Sequence, residues 1–132
     1  MSGRTNSKRF QLRGDSVPAA RRHVMALLVN WKLAPIADSA ALVVSELTTN
    51  AVKHAPGDCF ELTLRRRRGF LIIEVSDCFA ERVPKVQTAS AEQTTGRGLP
   101  IVDAISERWG VRPRQGGKTV WAHLRISKGD AP

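Results

Sequence analysis

The sequence lacks long hydrophobic runs and clustered cysteines, and each absence excludes a class of protein. No apolar segment approaches the roughly 20 residues of a membrane-spanning helix, and the N-terminus has no apolar signal-peptide core. We therefore expect a cytoplasmic protein without a membrane partner. Cys59 and Cys78 are isolated and lack metal-ligand spacing, so we expect free thiols in a reducing compartment.

Aromatic residues are also scarce, at 5% of the chain, whereas the net charge is +9. This charge favours anionic partners such as nucleotides, nucleic acid or an acidic protein surface. Part of the excess lies in Arg65–Arg68, which either binds phosphate backbones or forms a solvated hairpin end between two predicted strands. Because the aromatic residues do not alternate with these arginines, no stacking platform for bases is visible. The hairpin end is favoured, and we expect no direct nucleic-acid partner.

The 132 residues suffice for one domain with its own core. We predict a disordered tail over residues 1–8, a single domain over residues 9–126 and a C-terminal tail over residues 127–132. Hydrophobic periodicity predicts, in order, a short strand at 10–12, helices over 17–31 and 40–55, strands over 60–66 and 70–75, an irregular loop over 78–95, a helix over 99–109, and strands at 111–113 and 119–126. Helices do not separate every pair of strands. The order therefore predicts a two-layer α+β sandwich, with a mixed sheet and helices on one face.

The segment Ala40–Ala55 is the strongest helix signal, because neither Pro nor Gly interrupts it. Glu46 and Asn50 are four residues apart and so stand one turn above the other, with Lys53 and His54 continuing the row. A carboxylate above a carboxamide offers oxygen ligands to a hard cation and its water. The alternative is a surface helix whose polar face is only hydrated.

Asp77 follows a strand that reads as buried. A carboxylate at that position could accept hydrogen bonds from the exocyclic amino group of a purine. An aspartate that merely initiates a turn is the other interpretation. The residue alone does not decide between them.

The sequence Gly96-Arg97-Gly98 leads directly into the helix that begins at Leu99. Two glycines allow close backbone approach, and a helix start offers unpaired N–H groups to a phosphate chain. Glycines also serve ordinary turns, so this motif is weak by itself. The segment Gly116–Thr119 has only a superficial likeness to a Walker phosphate-binding loop, because a strand and not a helix follows it.

The motifs gain specificity from their order along residues 10–124. The segments concerned are Val44–Ala55, Asp77, Gly96–Val102, Trp109–Val111 and Gly116–Trp121. In this combination the sequence resembles the ATP-binding domain shared by DNA gyrase, a family of heat-shock chaperones, histidine kinases and MutL, the GHKL-type or Bergerat fold. Within that group it is most similar to the small anti-sigma-factor serine/threonine kinases of Gram-positive bacteria, particularly of actinobacteria.

The resemblance implies a role for each motif residue. Asn50 would coordinate the Mg²⁺ that holds the ATP phosphates, and Glu46 would orient or deprotonate the attacking hydroxyl of water or of a partner's serine. Asp77 would bind the adenine amino group, with Thr119 close to both. The phosphates would be contacted at the glycine-rich helix start by Gly96, Arg97, Gly98 and Leu99.

The resemblance also implies partners. Such a protein would bind Mg-ATP, sequester a sigma factor and phosphorylate a serine of a STAS-type anti-anti-sigma antagonist, and relatives of this kind often form homodimers. One segment departs from the wider group, which usually has Asp-x-Gly-x-Gly, because residues 78–84 after Asp77 contain no glycine. This keeps open a non-catalytic interaction module of the same fold that binds ATP weakly or not at all.

Overall fold

The computed structural model describes residues 3–55, 57–77, 99–114 and 117–126. Three helices and five strands make up these ranges, with one 3-10 turn at Ala34–Ile36. In chain order they are β1 (Arg4–Gln11), α1 (Ser16–Asn30), α2 (Ala37–His54), β2 (Cys59–Arg67), β3 (Phe70–Asp77), α3 (Pro100–Ile105), β4 (Arg108–Arg114) and β5 (Gly117–Arg125). No helix in the described ranges is long and apolar enough to cross a membrane.

The five strands form one sheet in the order β1-β2-β3-β5-β4. Helices α1 and α2 form a hairpin that connects the end of β1 to the start of β2. Both of these strand ends lie at the same end of the sheet, where Cys59 is opposite Gln11. The predicted two-layer α+β architecture with helices on one face is confirmed. The sheet is not mixed, however, since each pairing between described strands is antiparallel.

Strand alternation gives the sheet two different faces. The face beneath the helices is buried and largely aliphatic, and it includes Phe60, Leu62, Leu64, Leu71, Ile73, Val75, Ala122 and Leu124. We call the other side the open face, because none of the described helices packs on it. In β2 to β5 it includes Glu61, Thr63, Arg65, Arg67, Phe70, Ile72, Glu74, Ser76, Arg108, Gly110, Arg112, Arg114, Thr119, Trp121, His123 and Arg125.

Strand β1 begins at Arg4, so the prediction of a disordered tail is wrong for residues 4–8. These residues pair with β2 from Arg4 opposite Arg66 onwards, and the Ser7 hydroxyl lies 2.8 Å from that of Thr63. A polar, basic sequence is typical of a sheet edge, where charged side chains discourage further strand pairing. The pairing with β2, and not the composition, identifies these residues as an edge strand.

Helix α3 ends at Ile105, whereas the apolar spacing predicted a helix as far as Trp109. Trp109 lies in β4 opposite Ala122, and its indole N–H donates to the Asp103 carboxylate at 3.0 Å. Gly110 does not close a helix. It lies under the ring of Trp121, and a Cβ at this position would come within 2.8 Å of that ring.

The arginine run forms a hairpin end, as predicted: it closes β2 and enters the turn at Gly69, whose φ is 81°. Alternation divides the run between the two faces. Arg65 bonds Glu74 on the open face, whereas the Arg66 guanidinium donates to the carbonyl of Trp31 at 3.4 Å. The run is therefore not one continuous basic patch.

Cys59 takes part in a disulfide bond, so the expectation of a free thiol is wrong for this residue. Cys59 begins β2 opposite Gln11. The sequence predicts a strand in this region, but it does not reveal the oxidation state of the thiol. Cys78, to which the same expectation applied, lies outside the described residues.

Candidate functional site

Glu46 and Asn50 lie together on one flank of α2, and both are half-buried. At about 100° per residue they are separated by roughly 40° around the axis and by one turn along it. Ser39 lies on the same flank and lines a cleft with Ile105 and Ser106 beside α3. On the opposite flank, the Ser45 hydroxyl accepts a hydrogen bond of 3.0 Å from Arg21 of α1. The Glu46–Asn50 row thus faces away from α1 and toward the α3 side.

Helix α3 is held against α2 by its apolar residues. Val102 is fully buried and Leu99, at the helix start, is buried as well. Gly96, Arg97 and Gly98 lie outside the described residues, so their contact with phosphates stays a prediction. The structure nevertheless shows that the chain which follows them packs on α2.

Asp77 ends β3 on the helix side of the sheet, opposite Phe60, and only 7% of it is exposed. Its Oδ2 accepts a hydrogen bond of 3.2 Å from the backbone N–H of Lys118. Burial raises the pKa of Asp77, while the charges of Lys118 and Arg114 and the Lys118 N–H act in the opposite direction. The result is a carboxyl group that is shielded from water yet held by one donor.

The backbone of β5 approaches this carboxylate closely because residue 117 is a glycine. A Cβ on Gly117 would lie 2.5 Å from the Oδ2 of Asp77. Neither Gly117 nor Lys118 was among the site residues predicted from the sequence. The adjacent glycines at 116 and 117 were the available signal; they counted toward the family resemblance, but no contact with Asp77 was predicted for them.

Thr119 lies one step further along β5. Its hydroxyl is 2.7 Å from that of Ser76. These two residues alternate with Asp77 and Lys118, so their hydrogen bond lies on the open face. Lys118 and not Thr119 is therefore the β5 neighbour of the Asp77 carboxylate, and the role of Thr119 at a purine stays a prediction.

The described elements bring the strand of Asp77 under the helix of Glu46 and Asn50, because α2 packs on both β3 and β5. Lys53 and His54 are exposed at the end of α2. The described residues contain no group of three or more His, Cys, Asp or Glu side chains that would hold a metal alone. Mg²⁺ at nucleotide sites usually takes only one or two protein oxygens and completes its shell with phosphates and water. Asn50, with Glu46 one turn away, fits such a metal.

Comparison with solved structures gives the fold but not the activity. The chain is similar to the crystal structure of the RsbU and RsbW domains of Rv1364c from Mycobacterium tuberculosis, with a TM-score of 0.66 and 14% identity. The similarity covers 93% of this chain and 32% of that one, so this chain spans about a third of its length. No curated protein sequence matches.

The family is shown by sequence. The profile that describes the histidine kinase-like ATPase domain matches residues 10–124. This range includes the three helices, strands β2 to β4 and all but the last residue of β5, but only the last two residues of β1. The chain therefore belongs to the histidine kinase-like ATPase domain family.

Proposed function

We propose that this protein binds Mg-ATP between the α3-facing flank of α2 and the end of β3, and that it is an anti-sigma factor that phosphorylates a serine of an anti-anti-sigma antagonist. The observation that carries the proposal is the placement of the Glu46–Asn50 row above the strand that ends in buried Asp77. Family membership supports ATP as the ligand. The resemblance to anti-sigma-factor kinases, and a structural neighbour that contains an RsbW domain, support the regulatory role.

Asp77 would select the purine. The Lys118 N–H already occupies Oδ2, and no described residue donates to Oδ1. An adenine amino group supplies the missing donor, whereas guanine presents a carbonyl oxygen at the equivalent position and would leave Oδ1 without a donor. We therefore expect the site to prefer ATP to GTP.

Glu46 and Asn50 would divide the chemistry. Bound Mg²⁺ supplies charge neutralisation to the phosphates, and the Asn50 carboxamide would hold it. Glu46 would accept the proton of the partner's serine as the serine oxygen bonds to the γ-phosphorus. The bond between that phosphorus and the bridging oxygen breaks, and ADP leaves with the bridging oxygen.

The binding claim is tested by calorimetric titration with Mg-ATP of the wild type, Asn50→Ala and Thr49→Ala. Thr49 is the adjacent residue of the same helix. Thr49→Ala should change the helix propensity about as much as Asn50→Ala does, but it leaves the proposed Mg²⁺-coordinating carboxamide in place. We expect micromolar binding by the wild type and by Thr49→Ala, and a loss of about tenfold or more, about 1.4 kcal/mol, for Asn50→Ala. Equal affinities for Asn50→Ala and Thr49→Ala would contradict the role of Asn50.

The kinase claim needs a second assay, in which the protein, Mg-ATP and a STAS-type antagonist are incubated and phosphoserine is measured. The wild type should phosphorylate the antagonist, and Glu46→Ala should bind ATP without transferring phosphate. The glycine-free segment after Asp77 favours the alternative of a non-catalytic interaction module. No phosphoserine with either protein would contradict the kinase claim, and the calorimetric titration then shows whether ATP binding is retained.

A further inference from the structure

The open face carries a continuous patch of rings and apolar surface on its two central strands. We call Phe70, Ile72, Trp121 and His123 the aromatic patch. The ring centroids of Phe70 and His123 are 6.1 Å apart, and those of Trp121 and His123 are 4.9 Å apart. All four residues are only half-buried, so the patch has an accessible side.

Trp121 packs closely on the neighbouring strand. Its ring lies against Gly110 on the neighbouring strand, where a Cβ would come within 2.8 Å of the indole. Because residue 110 is a glycine, one side of the indole contacts the β4 backbone. Trp121 is only half-buried, so part of its ring stays accessible. His123 is tilted by 51° to the indole, so the two rings present separate faces, each of which can stack with one base.

Arginines surround the aromatic patch on both sides. Strand β4 directs Arg108, Arg112 and Arg114 to the open face, and all three are exposed. Further arginines lie at Arg65, Arg67 and Arg125. Glu74 bonds Arg65 and Arg112 at 3.2 and 3.5 Å, and Glu107 bonds Arg125 at 3.3 Å. Arg108 and Arg114 form no ion pair with any residue in the described ranges.

This arrangement corrects the sequence analysis, which found no arginines alternating with aromatic residues. The two residue types are distant in the chain but adjacent in the sheet, because register places Trp121 opposite Gly110, between Arg108 and Arg112 of β4. The sequence alone could not reveal this proximity. Rings that stack on bases, flanked by guanidinium groups that bind phosphates, are the two components of single-strand recognition.

Other occupants fit less well. A second copy of this chain would bring two basic faces of the same sign together, which costs electrostatic free energy. An acidic protein would satisfy the arginines but would leave the flat rings without a matched contact. A single strand uses both features at once.

We infer that the open face binds single-stranded nucleic acid, with bases stacked on Trp121 and His123 and phosphates held by Arg108 and Arg114. This surface is on the opposite side of the sheet from Asp77 and α2. The charge of Arg114 also acts on Asp77, so Arg108, Trp121 and His123 are the residues that test the inference independently of ATP binding and kinase activity.

The test is fluorescence anisotropy of the full chain with labelled oligouridylate and oligothymidylate of about 20 nucleotides, from about 50 to about 200 mM salt. The wild type should bind at low salt, with log affinity falling linearly with log salt. Arg108→Ala and Arg114→Ala should each reduce the magnitude of that slope by about 0.7. Comparison of the two oligonucleotides shows whether the ribose contributes, and binding of either one supports the proposal.

The aromatic component is tested separately. Trp121→Ala and His123→Ala should each weaken binding by about 5- to 100-fold without changing the salt slope, and Trp121→Phe should restore most of the affinity. Thermal melting by circular dichroism establishes that each variant is folded. If Trp121→Ala does not fold, the loss of affinity is read from His123→Ala alone.

Arg22→Ala is the matched control, since Arg22 is an exposed arginine on α1, in the helical layer. It should leave the salt slope unchanged. The proposal is overturned if the wild type does not bind at low salt, or if Arg22→Ala and Arg114→Ala have equal effects. Displacement of the oligonucleotide by polyglutamate, with no effect of the Trp121 and His123 substitutions, would also overturn it and would identify a surface for acidic proteins.

Discussion

Beneath the helices the sheet is built largely from aliphatic side chains, whereas its open face carries mainly aromatic rings, arginines and hydroxyl groups. Ile72 and Ile73 show the difference between neighbouring residues of the same type: Ile73 is fully buried under the helices and Ile72 is half-buried on the open face. The first face stabilises the fold and positions Asp77. The second contributes less to stability, so its residues are free to serve recognition.

The largest effect that separates the two faces is expected from isoleucine truncation. Ile73→Ala removes fully buried methyl groups and leaves a cavity, so it should lower the free energy of unfolding by about 2–5 kcal/mol. Ile72→Ala removes the same atoms from a half-buried site and should cost about 1 kcal/mol or less. Denaturant unfolding of both variants measures the difference. Equal losses would show that the open face is covered by another part of the protein.

A smaller but more local effect is expected at Gly117, where the two faces meet beside Asp77. Gly117→Ala places a methyl group within 2.5 Å of the Asp77 Oδ2 and must displace the carboxylate. We expect ATP affinity to fall by about tenfold, about 1.4 kcal/mol, comparable with the loss of one hydrogen bond to a charged group. Gly14→Ala is the control, because its new methyl group has no neighbour within 4 Å. Unchanged affinity of Gly117→Ala would separate this carboxylate from the nucleotide.

Asp77 should show a conflict between stability and function. Burial raises its folded-state pKa above the usual 3.8, so the protonated form is stabilising at acidic pH and this contribution is lost as pH rises through the folded-state pKa. Asp77→Asn should therefore raise the melting temperature at neutral pH, with a gain that shrinks in acid, while abolishing the preference for ATP over GTP. Melting curves at neutral and acidic pH measure the first effect, and a fall in melting temperature at neutral pH would contradict it.

The smallest effect is expected for the ion pairs of the open face. Glu74→Gln removes the partner of Arg65 and Arg112, whose side chains are 37% and 54% exposed. Solvent screens such pairs, and we expect a loss of about 1 kcal/mol or less in the free energy of unfolding. In the same variant, oligonucleotide affinity should rise, because two more arginines become available to phosphates. Anisotropy titration checks this gain, and weaker binding would argue that Glu74 orients the arginines.

The two faces also differ in what the sequence could predict. Alternation of Phe60, Leu62 and Leu64 and the uninterrupted helix around Glu46 depend on local pattern, so β2 and α2 were predicted to within a few residues. The end of α3 was missed because Trp109 continues a helical spacing, and only pairing with Ala122 makes it part of a strand. The extent of β1 was missed because polar edge strands resemble tails.

Contacts across strands were the least predictable part of the site. The approach of Lys118 and Gly117 to Asp77, and of Trp121 to Gly110, depends on the register between distant segments. The same register creates the aromatic patch. Motifs on a single element, such as Glu46 with Asn50, need no such information.

The most direct test of the nucleotide site is a cycle that combines removal of Mg²⁺ with Asn50→Ala and with Asp77→Asn, read as ATP affinity by calorimetry. Asn50 is proposed to act through the metal and Asp77 through adenine. Asn50→Ala should therefore weaken binding by about tenfold with Mg²⁺ and have little effect without it, whereas Asp77→Asn should weaken binding equally in both conditions. An Asn50→Ala loss of the same size with and without Mg²⁺, or a wild type that binds no ATP, would contradict the account.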